Sequence, residues 1–411
     1  MSDDFDYDRS APVAVGRPRA RMSRLERVRA RRNRNRRRMI GAAAAALLTV
    51  VVVAAVFLGA KLFSGSGGGF TGEGKDDVII QVHDGDSTTQ IGQTLREANA
   101  ISTVKGFVDA AKDNATIAAI QPGFYLVKTE MSAPAAVRRL ADPHNRVGKL
   151  VIPEGRQLDD VAEVGSGKVT DGIFTLISKA TCVQLNGQRR CVPAADLRKV
   201  AEQAPPAALN VPQWAIRPVT ALGTNHRRLE GLIAPGTWNV DPLASPQEIV
   251  AKLVGQSADH YVGGGLLDTA TAMNMSPYQI LIVGSLVQRE AKPHDFAKVA
   301  RVIYNRLAVP QKLEFDSTVN YPLDRQEVAT TDADRAQVTP WNTYAAEGLP
   351  ATPICSPGDD ALAAAERPEP GDWLYFVTVD TGGTTLFTRD YEQHLANIEL
   401  ARHNGVLDSA R

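Results

Sequence analysis

One carboxyl in this sequence sits where proton-transfer chemistry needs it. Residues 276–323 read SPYQILIVGSLVQREAKPHDFAKVARVIYNRLAVPQKLEFDSTVNYPL. Ser276 is a ready N-cap, and Pro277 fits the first helical position behind it. Ile280, Leu281, Val283, Gly284, Leu286 and Val287 surround the helix that follows, which predicts burial on nearly all sides. Gln288-Arg289-Glu290 closes that helix before Pro293. Glu290 therefore lies at the end of a buried apolar rod. Desolvation and the negative end of the helix dipole both disfavour its charged form. A carboxyl kept protonated near neutral pH is what general-acid cleavage of an acetal requires. Arg289 and Lys292 oppose this if they approach, and a solvated or Arg-paired helix-end glutamate is the plainer alternative.

Other chemistries lack their residues. Gly165-Ser166-Gly167-Lys168 is followed by Val169 and has no glycine five positions before Gly167, so it is no phosphate loop. No H-E-x-x-H, no G-x-S-x-G and no metal-spaced Cys/His cluster occurs, and the seven histidines are scattered. Neither a metal nor a cofactor is expected.

The elements around Glu290 follow from periodicity. Phe296, Ala300, Ile303 and Leu307 line one face of a second helix. Short strands are expected at Trp373–Val379 and Thr384–Phe387. Earlier in the chain a pattern recurs. Val78–Val82 reads as a strand, followed by a Gly85 turn and a helix carrying Ile91 and Leu95. Residues 149–152 are followed by Gly155, Leu158 and Val161. Pro122-Gly123 through Leu140 recurs as Pro235-Gly236 through Leu253 at an offset of 113, each copy with a capping serine, Ser132 or Ser245. The front halves are offset by 70, so the second copy carries an insertion of about 43 residues. Two related strand–helix–strand–helix modules are expected, the second interrupted. The insertion holds Cys182 and Cys191, which flank an Asn186-Gly187 hairpin signal and are placed to form a disulfide. Cys355 is expected to be a packed thiol.

The net charge is zero, with 46 basic against 46 acidic residues, but it is unevenly spread. Residues 1–38 hold 13 Arg and 5 acids, a net of +8, against −8 for the rest. Residues 39–60 carry no charge over 22 positions, where roughly 20 suffice to cross a bilayer. Arg36 to Arg38 abut the apolar run, which predicts a cytoplasmic N-terminus and an extracytoplasmic body. The run is too long, and its flanks are wrong, for a cleaved leader. The arginines read as a topology signal and not as a nucleic-acid surface. Residues 61–76 read as a Gly/Ser-rich tether.

The block 284–323 resembles the YceG-like (MltG) family of membrane-anchored endolytic murein transglycosylases. Its A-S-I-V-E-K-E, V-F-x-N-R-L and L-Q-T-D-P-T-V-x-Y are similar to Gly284–Glu290, Val302–Leu307 and Leu313–Tyr321. Trp341–Tyr344, Gly348-Leu349-Pro350, Pro353-Ile354, Leu374–Val377, Phe387, His394 and Leu229-Glu230-Gly231 also match motifs of that family. The first Glu of E-K-E is Gln288 here, and the turn proline of T-D-P-T is Ser317. The resemblance carries the catalytic role to Glu290. It implies that Asp316, Thr318 and Asn342 hydrogen-bond the sugar or hold Glu290, and that Tyr344 and Tyr375 pack against sugar faces.

The mixed pattern of short strands and helices predicts an α+β fold in this order: a basic tail (1–38), a transmembrane helix (39–60), a tether (61–76), a module that the resemblance makes LysM-like (77–147), a second, interrupted module (148–272) and the catalytic domain that the resemblance implies (273–411). It implies cleavage of the β-1,4 bond between N-acetylmuramic acid and N-acetylglucosamine to 1,6-anhydromuramyl ends, at the outer face of the cell membrane. Peptidoglycan strands, the membrane and peptidoglycan polymerases or the division and elongation machinery are the expected partners. A catalytically inactive wall-binding scaffold and a hydrolytic muramidase are the alternatives.

Overall fold

Alternation in Val78–Val82 sends Ile80 and Val82 inward, and this sets the first sheet. In the computed structural model, which describes residues 69–163, 167–323, 325–326 and 330–406, β1 (Asp77–Val82) pairs antiparallel with β2 (Gly123–Lys128). Three helices lie between them in sequence, the last a single turn at Ala115–Ala118. In α1 (Thr88–Glu97) Ser87 and Gln90 form a capping box and Ile91 and Leu95 are buried. In α2 (Val104–Ala111) Thr103 is the cap and Phe107 is buried. Ser132 caps α3 (Ala133–Ala141). Phe107, Tyr125, Val127 and Leu140 share one core with these elements. Burying a side chain such as Phe107 stabilises by about 1.5–3 kcal/mol.

The second copy reproduces this pairing residue for residue. β3 (Lys149–Ile152) pairs antiparallel with β4 (Gly236–Asn239). Leu150 faces Trp238 and Ile152 faces Gly236, as Ile80 faces Tyr125 and Val82 faces Gly123. The same offsets of 70 and 113 relate all four second-copy pairs to their first-copy counterparts. Gly85 and Gly155 both take left-handed φ, 76° and 70°, at the turn after the first strand.

Val161 departs from expectation. It does not join a helix matching α1 but lies in a short strand, Val161–Glu163, paired with Val169–Thr170 and Arg325–Gln326. The chain leaves the repeat at Leu158 and returns at Phe174, whose N–H donates to the Leu158 carbonyl at 3.2 Å. Only then does α4 (Ile173–Ala180) form. Asp160 accepts from the Gly172 N–H at 2.6 Å and from Thr175 Oγ1 at 3.0 Å, so a carboxylate sits at that helix start. Cys182 and Cys191 are joined by a disulfide across the hairpin that follows. Asn186 and Gly187, both at positive φ, make its turn. The extra residues are thus spread along the second copy, which continues through α5 (Ala194–Gln203) and α6 (Gln213–Ala221).

A second hydrophobic core runs from Leu150 to Ala365 and crosses the expected boundary at 272/273. It is built on α7 (Pro246–Gly263), α8 (Leu266–Met273), α9 (Pro277–Glu290) and α10 (Phe296–Leu307). Tyr261 of α7 donates its hydroxyl to the Gly231 carbonyl at 2.9 Å inside this core. In α9, Ser276 and Gln279 form a capping box and every residue from Ile280 to Val287 is buried. After α11 (Asp316–Asn320), the alanine-rich α12 (Asp359–Glu366) packs on α9. Gly284 faces α12, where a Cβ would stand in ordinary contact, 3.4 Å from Leu362 Cα. The hairpin of β5 (Tyr375–Thr378) and β6 (Thr385–Thr388) and the helix α13 (Tyr391–His403) complete a mixed α+β architecture.

Residues 1–38, 39–60 and 61–68 of the expected tail, span and tether lie outside the described residues. No helix among the described residues is long and apolar enough to cross a membrane. The last part of the expected tether is not free. Lys75 N–H donates to the Thr129 carbonyl at 2.8 Å, and Ser132 N–H to that of Gly72 at 3.0 Å, so these residues lie along the first module.

Candidate active site

Glu290 is the last residue of α9, and α11 starts beside it. Its side chain keeps part of its surface open while the apolar rod behind it is closed to water. Ser317 Oγ, in the first turn of α11, donates to Glu290 Oε1. Burial pushes the Glu290 carboxyl up to about 7. The hydrogen bond from Ser317 and the Arg289 charge oppose that rise, and the charge of Asp316 adds to it. Glu290 is therefore able to give a proton and take one back near neutral pH.

Asp316 is handled in the opposite sense. Burial alone disfavours its charge, but Arg335, Thr330 and Tyr344 outweigh that and hold its carboxyl below the usual range. Oδ1 accepts from Thr330 Oγ1 at 2.7 Å, Tyr344 hydroxyl at 2.8 Å and Arg335 Nε at 3.2 Å. Oδ2 accepts from Arg335 Nη2 at 3.1 Å. The Arg335 guanidinium also lies 5.1 Å from the centre of the Tyr344 ring. Two carboxyls adjacent in space are thus driven apart, one protonated near pH 7 and one ionised and paired. Three donors to Oδ1 and Arg335 on Oδ2 dispose Asp316 poorly to attack as a nucleophile.

The other expected site residues fall in two groups. Tyr344 joins Glu290 and Asp316. Thr318 and Asn342 are buried behind them and spend their polar atoms on the protein. Thr318 Oγ1 donates to the Phe315 carbonyl at 2.6 Å and accepts from Thr343 N–H at 3.2 Å. Asn342 Nδ2 donates to the Arg335 carbonyl at 3.0 Å, and its Oδ1 accepts from Tyr344 N–H at 2.8 Å. They brace the segments that carry Asp316, Arg335 and Tyr344. Tyr375 of β5 stacks on His394, with ring centres 4.9 Å apart, and lies 5.4 Å from the Arg306 guanidinium.

Several residues that matter escaped the sequence reading. Arg306 is buried and donates to the carbonyls of Leu313 and Leu374, both at 2.6 Å, tying the approach to α11 to the strand that bears Tyr375. The conspicuous N-R-L pattern pointed to it. Arg335 and Thr330 lie in a polar stretch without periodicity, and nothing local marked them. Gln288 accepts from the Gly358 N–H at 2.8 Å at the start of α12, beside the Gly155 turn. It serves as a clasp, a task an amide oxygen and a carboxylate perform alike. Cys355 is fully buried, and burial pushes its thiol far up, out of reactive range. Among the described residues no group of three or more His, Cys, Asp or Glu is arranged to hold a metal ion.

The sequence matches the YceG-like family over residues 80–400. It is 26% identical over 325 residues to the endolytic murein transglycosylase of Bacillus subtilis strain 168, covering 78% of this chain and 84% of that protein. It is 25% identical over 336 residues to the endolytic murein transglycosylase of Streptococcus pneumoniae serotype 2 strain D39. That match covers 79% of this chain and 58% of the streptococcal protein. A solved yceG-like protein of Listeria monocytogenes aligns with a TM-score of 0.46 at 25% identity, covering 78% of this chain and 99% of that one.

Proposed function

The chain belongs to the YceG-like family, and on that premise we propose that it is an endolytic lytic transglycosylase of peptidoglycan. The bond cut is the β-1,4 link between N-acetylmuramic acid and N-acetylglucosamine. The observation that carries this reading is Glu290, a carboxyl poised near pH 7 at the end of a buried helix and bonded by Ser317, with an ionised Asp316 paired to Arg335 beside it.

Glu290 protonates the glycosidic oxygen as the bond to C1 breaks. Now a carboxylate, it accepts the proton of the muramyl C6 hydroxyl while that oxygen attacks C1. A 1,6-anhydromuramyl end forms, no water is consumed, and the enzyme returns to its starting protonation state. One carboxyl serves both steps. A two-carboxyl hydrolase needs a free second carboxylate as nucleophile or base, and the pairing of Asp316 with Arg335, Thr330 and Tyr344 argues against that role.

Residues 39–60 are proposed to hold the enzyme in the cell membrane, with its body at the outer face where strands emerge beside peptidoglycan polymerases. The first module is proposed to be LysM-like and to engage the wall. The test is digestion of purified glycan strands by the full chain, wild type beside Glu290→Gln, read by mass spectrometry. Anhydro ends from wild type alone are expected. Reducing ends would replace the lytic mechanism with hydrolysis, and strands bound but uncut by wild type would indicate a scaffold.

A further inference from the structure

The L-E-G motif is not used by the chemistry at Glu290, yet Glu230 is the most enclosed carboxyl of a pocket that Glu290 does not line. This pocket has a volume of about 440 Å3 and is lined by Asp159, Phe174, Arg198, Arg227, Glu230 and Tyr321 among others. It stands at the far end of α11 from Glu290. Ser317 bonds Glu290, and Tyr321, four residues on, donates its hydroxyl to Glu230 Oε2 at 2.8 Å. One helical turn, about 6 Å of rise, separates the two attachment points.

Glu230 is 1% exposed. Its Oε2 accepts from Tyr321 and from the Leu158 N–H at 3.2 Å, whereas its Oε1 has no hydrogen-bond partner. Of the residues lining this pocket, Glu230 alone has a buried side-chain polar atom without a partner in the fold. Burial also pushes this carboxyl up to about 8, so it is neutral at pH 7 and able both to donate and to accept.

Among the remaining lining charges, the carboxylates of Asp159 and Asp160 balance the guanidiniums of Arg198 and Arg227. Asp159 takes His226 Nε2 at 2.7 Å, Arg227 at 3.4 Å and Arg198 at 3.6 Å. The pocket therefore offers donors and acceptors of both kinds, an aromatic ring at Phe174 and no surplus charge. That combination suits a neutral, hydroxyl-rich ring with a small apolar face. It does not suit a phosphate or a free amino acid.

We propose that this pocket is a glycan subsite outside the scissile pair, taking a neutral N-acetylhexosamine unit of the same strand. The inference rests on the proposed activity and adds where the strand is gripped away from the cut. It makes α11 a spacer between the grip and the acid.

Ala195 is exposed at the pocket wall, so enlarging it blocks the pocket without disturbing a core. The experiment uses the full chain with Glu290→Gln in detergent, titrated calorimetrically with chitohexaose, a neutral β-1,4 oligomer of N-acetylglucosamine. Addition of Ala195→Trp is expected to weaken binding about tenfold, with thermal unfolding unchanged. Ala195→Gln is the fallback if the tryptophan disturbs folding, with a smaller loss in the same direction. Unchanged affinity in a folded blocked variant, or no chitohexaose binding before blocking, would overturn the subsite. Strand digestion by wild type is scored separately. Anhydro products together with an insensitive titration would sink only the subsite, and absence of cleavage would sink the activity on which it rests.

Discussion

Ser317 occupies the place of the turn proline in the family pattern, and its hydroxyl donates to the acid. Proline has neither this hydroxyl nor an N–H, and both groups of Ser317 favour the charged form of Glu290. Ser317→Ala deletes the hydroxyl. A hydrogen bond to an ionised group is worth about 1.5–3 kcal/mol, and water reaching a partly open site replaces some of that. With 1.36 kcal/mol per pKa unit, a rise of about one unit is expected. Glu290 then moves from about 7 to about 8. Cleavage needs the protonated form, so the alkaline limb of kcat/KM shifts to higher pH. At pH 8 the protonated fraction climbs from about one-tenth to about one-half. The assay is the initial rate of anhydro-end formation between pH 5 and 9. Ser317→Thr keeps the hydroxyl and is expected to leave the limb in place, whereas Ser317→Pro moves it at least as far as alanine. An alkaline limb that stays put in Ser317→Ala, or moves to lower pH, would refute the link between this hydroxyl and the acid.

Three further outcomes are expected. Arg335→Ala frees Asp316 and unstacks Tyr344, so kcat on glycan strands falls about 10–100-fold with a smaller change in KM, as steady-state kinetics will show. Glu230 is held at about 8 in the fold against an ordinary 4.5, so its contribution is complete below pH 4.5 and is lost as pH rises towards 8. Glu230→Gln keeps an acceptor for Tyr321 and removes about 1.4 kcal/mol per pH unit of that decline, so unfolding followed at pH 5 and pH 8 shows a flatter dependence than wild type, and equal slopes would count against the assignment. Replacing Cys182 and Cys191 by serine opens a short loop, with a sequence separation of 9, at a cost of about 2–3 kcal/mol. The melting temperature falls by a few degrees while kcat stays at the wild-type value.

What the sequence disclosed and what it hid divide along a physical line. The buried helix ending in Glu290 was legible because its cap, its proline and its apolar residues are all local. The paired strands of the two copies were legible because strand register follows alternation. Val161 was misassigned because Gly155 to Val161 imitates Gly85 to Ile91, while Asp160 reaches across the excursion to Gly172 and Thr175. Tyr261 and α9, on either side of 272/273, share a core that only long-range packing creates. Thr318 and Asn342 carry motif status, yet their hydrogen bonds run to backbone and neighbouring side chains. Residue type cannot tell a loop former from a ligand. Arg335 was invisible for the complementary reason, since its partner lies 19 residues earlier in the sequence.

The hairpin closed by Cys182 and Cys191 reaches back to the first strand. Asp77 N–H donates to Asn186 Oδ1 at 2.7 Å, and Asn186 N–H donates to Asp77 Oδ2 at 2.9 Å. Asp77 also pairs with Lys128 at 2.9 Å. Tension along the chain from its N-terminal side therefore meets two obstacles in series. Gly72 to Asp76 peel from Thr129–Ser132 one bond at a time. The tear is then expected to arrest at Asp77, which is bonded to a crosslinked loop of the second module. Force-extension measurements with and without reductant should show a lower second rupture once the crosslink is cut. A second rupture indifferent to reductant would mean that the crosslinked loop does not brace the first strand.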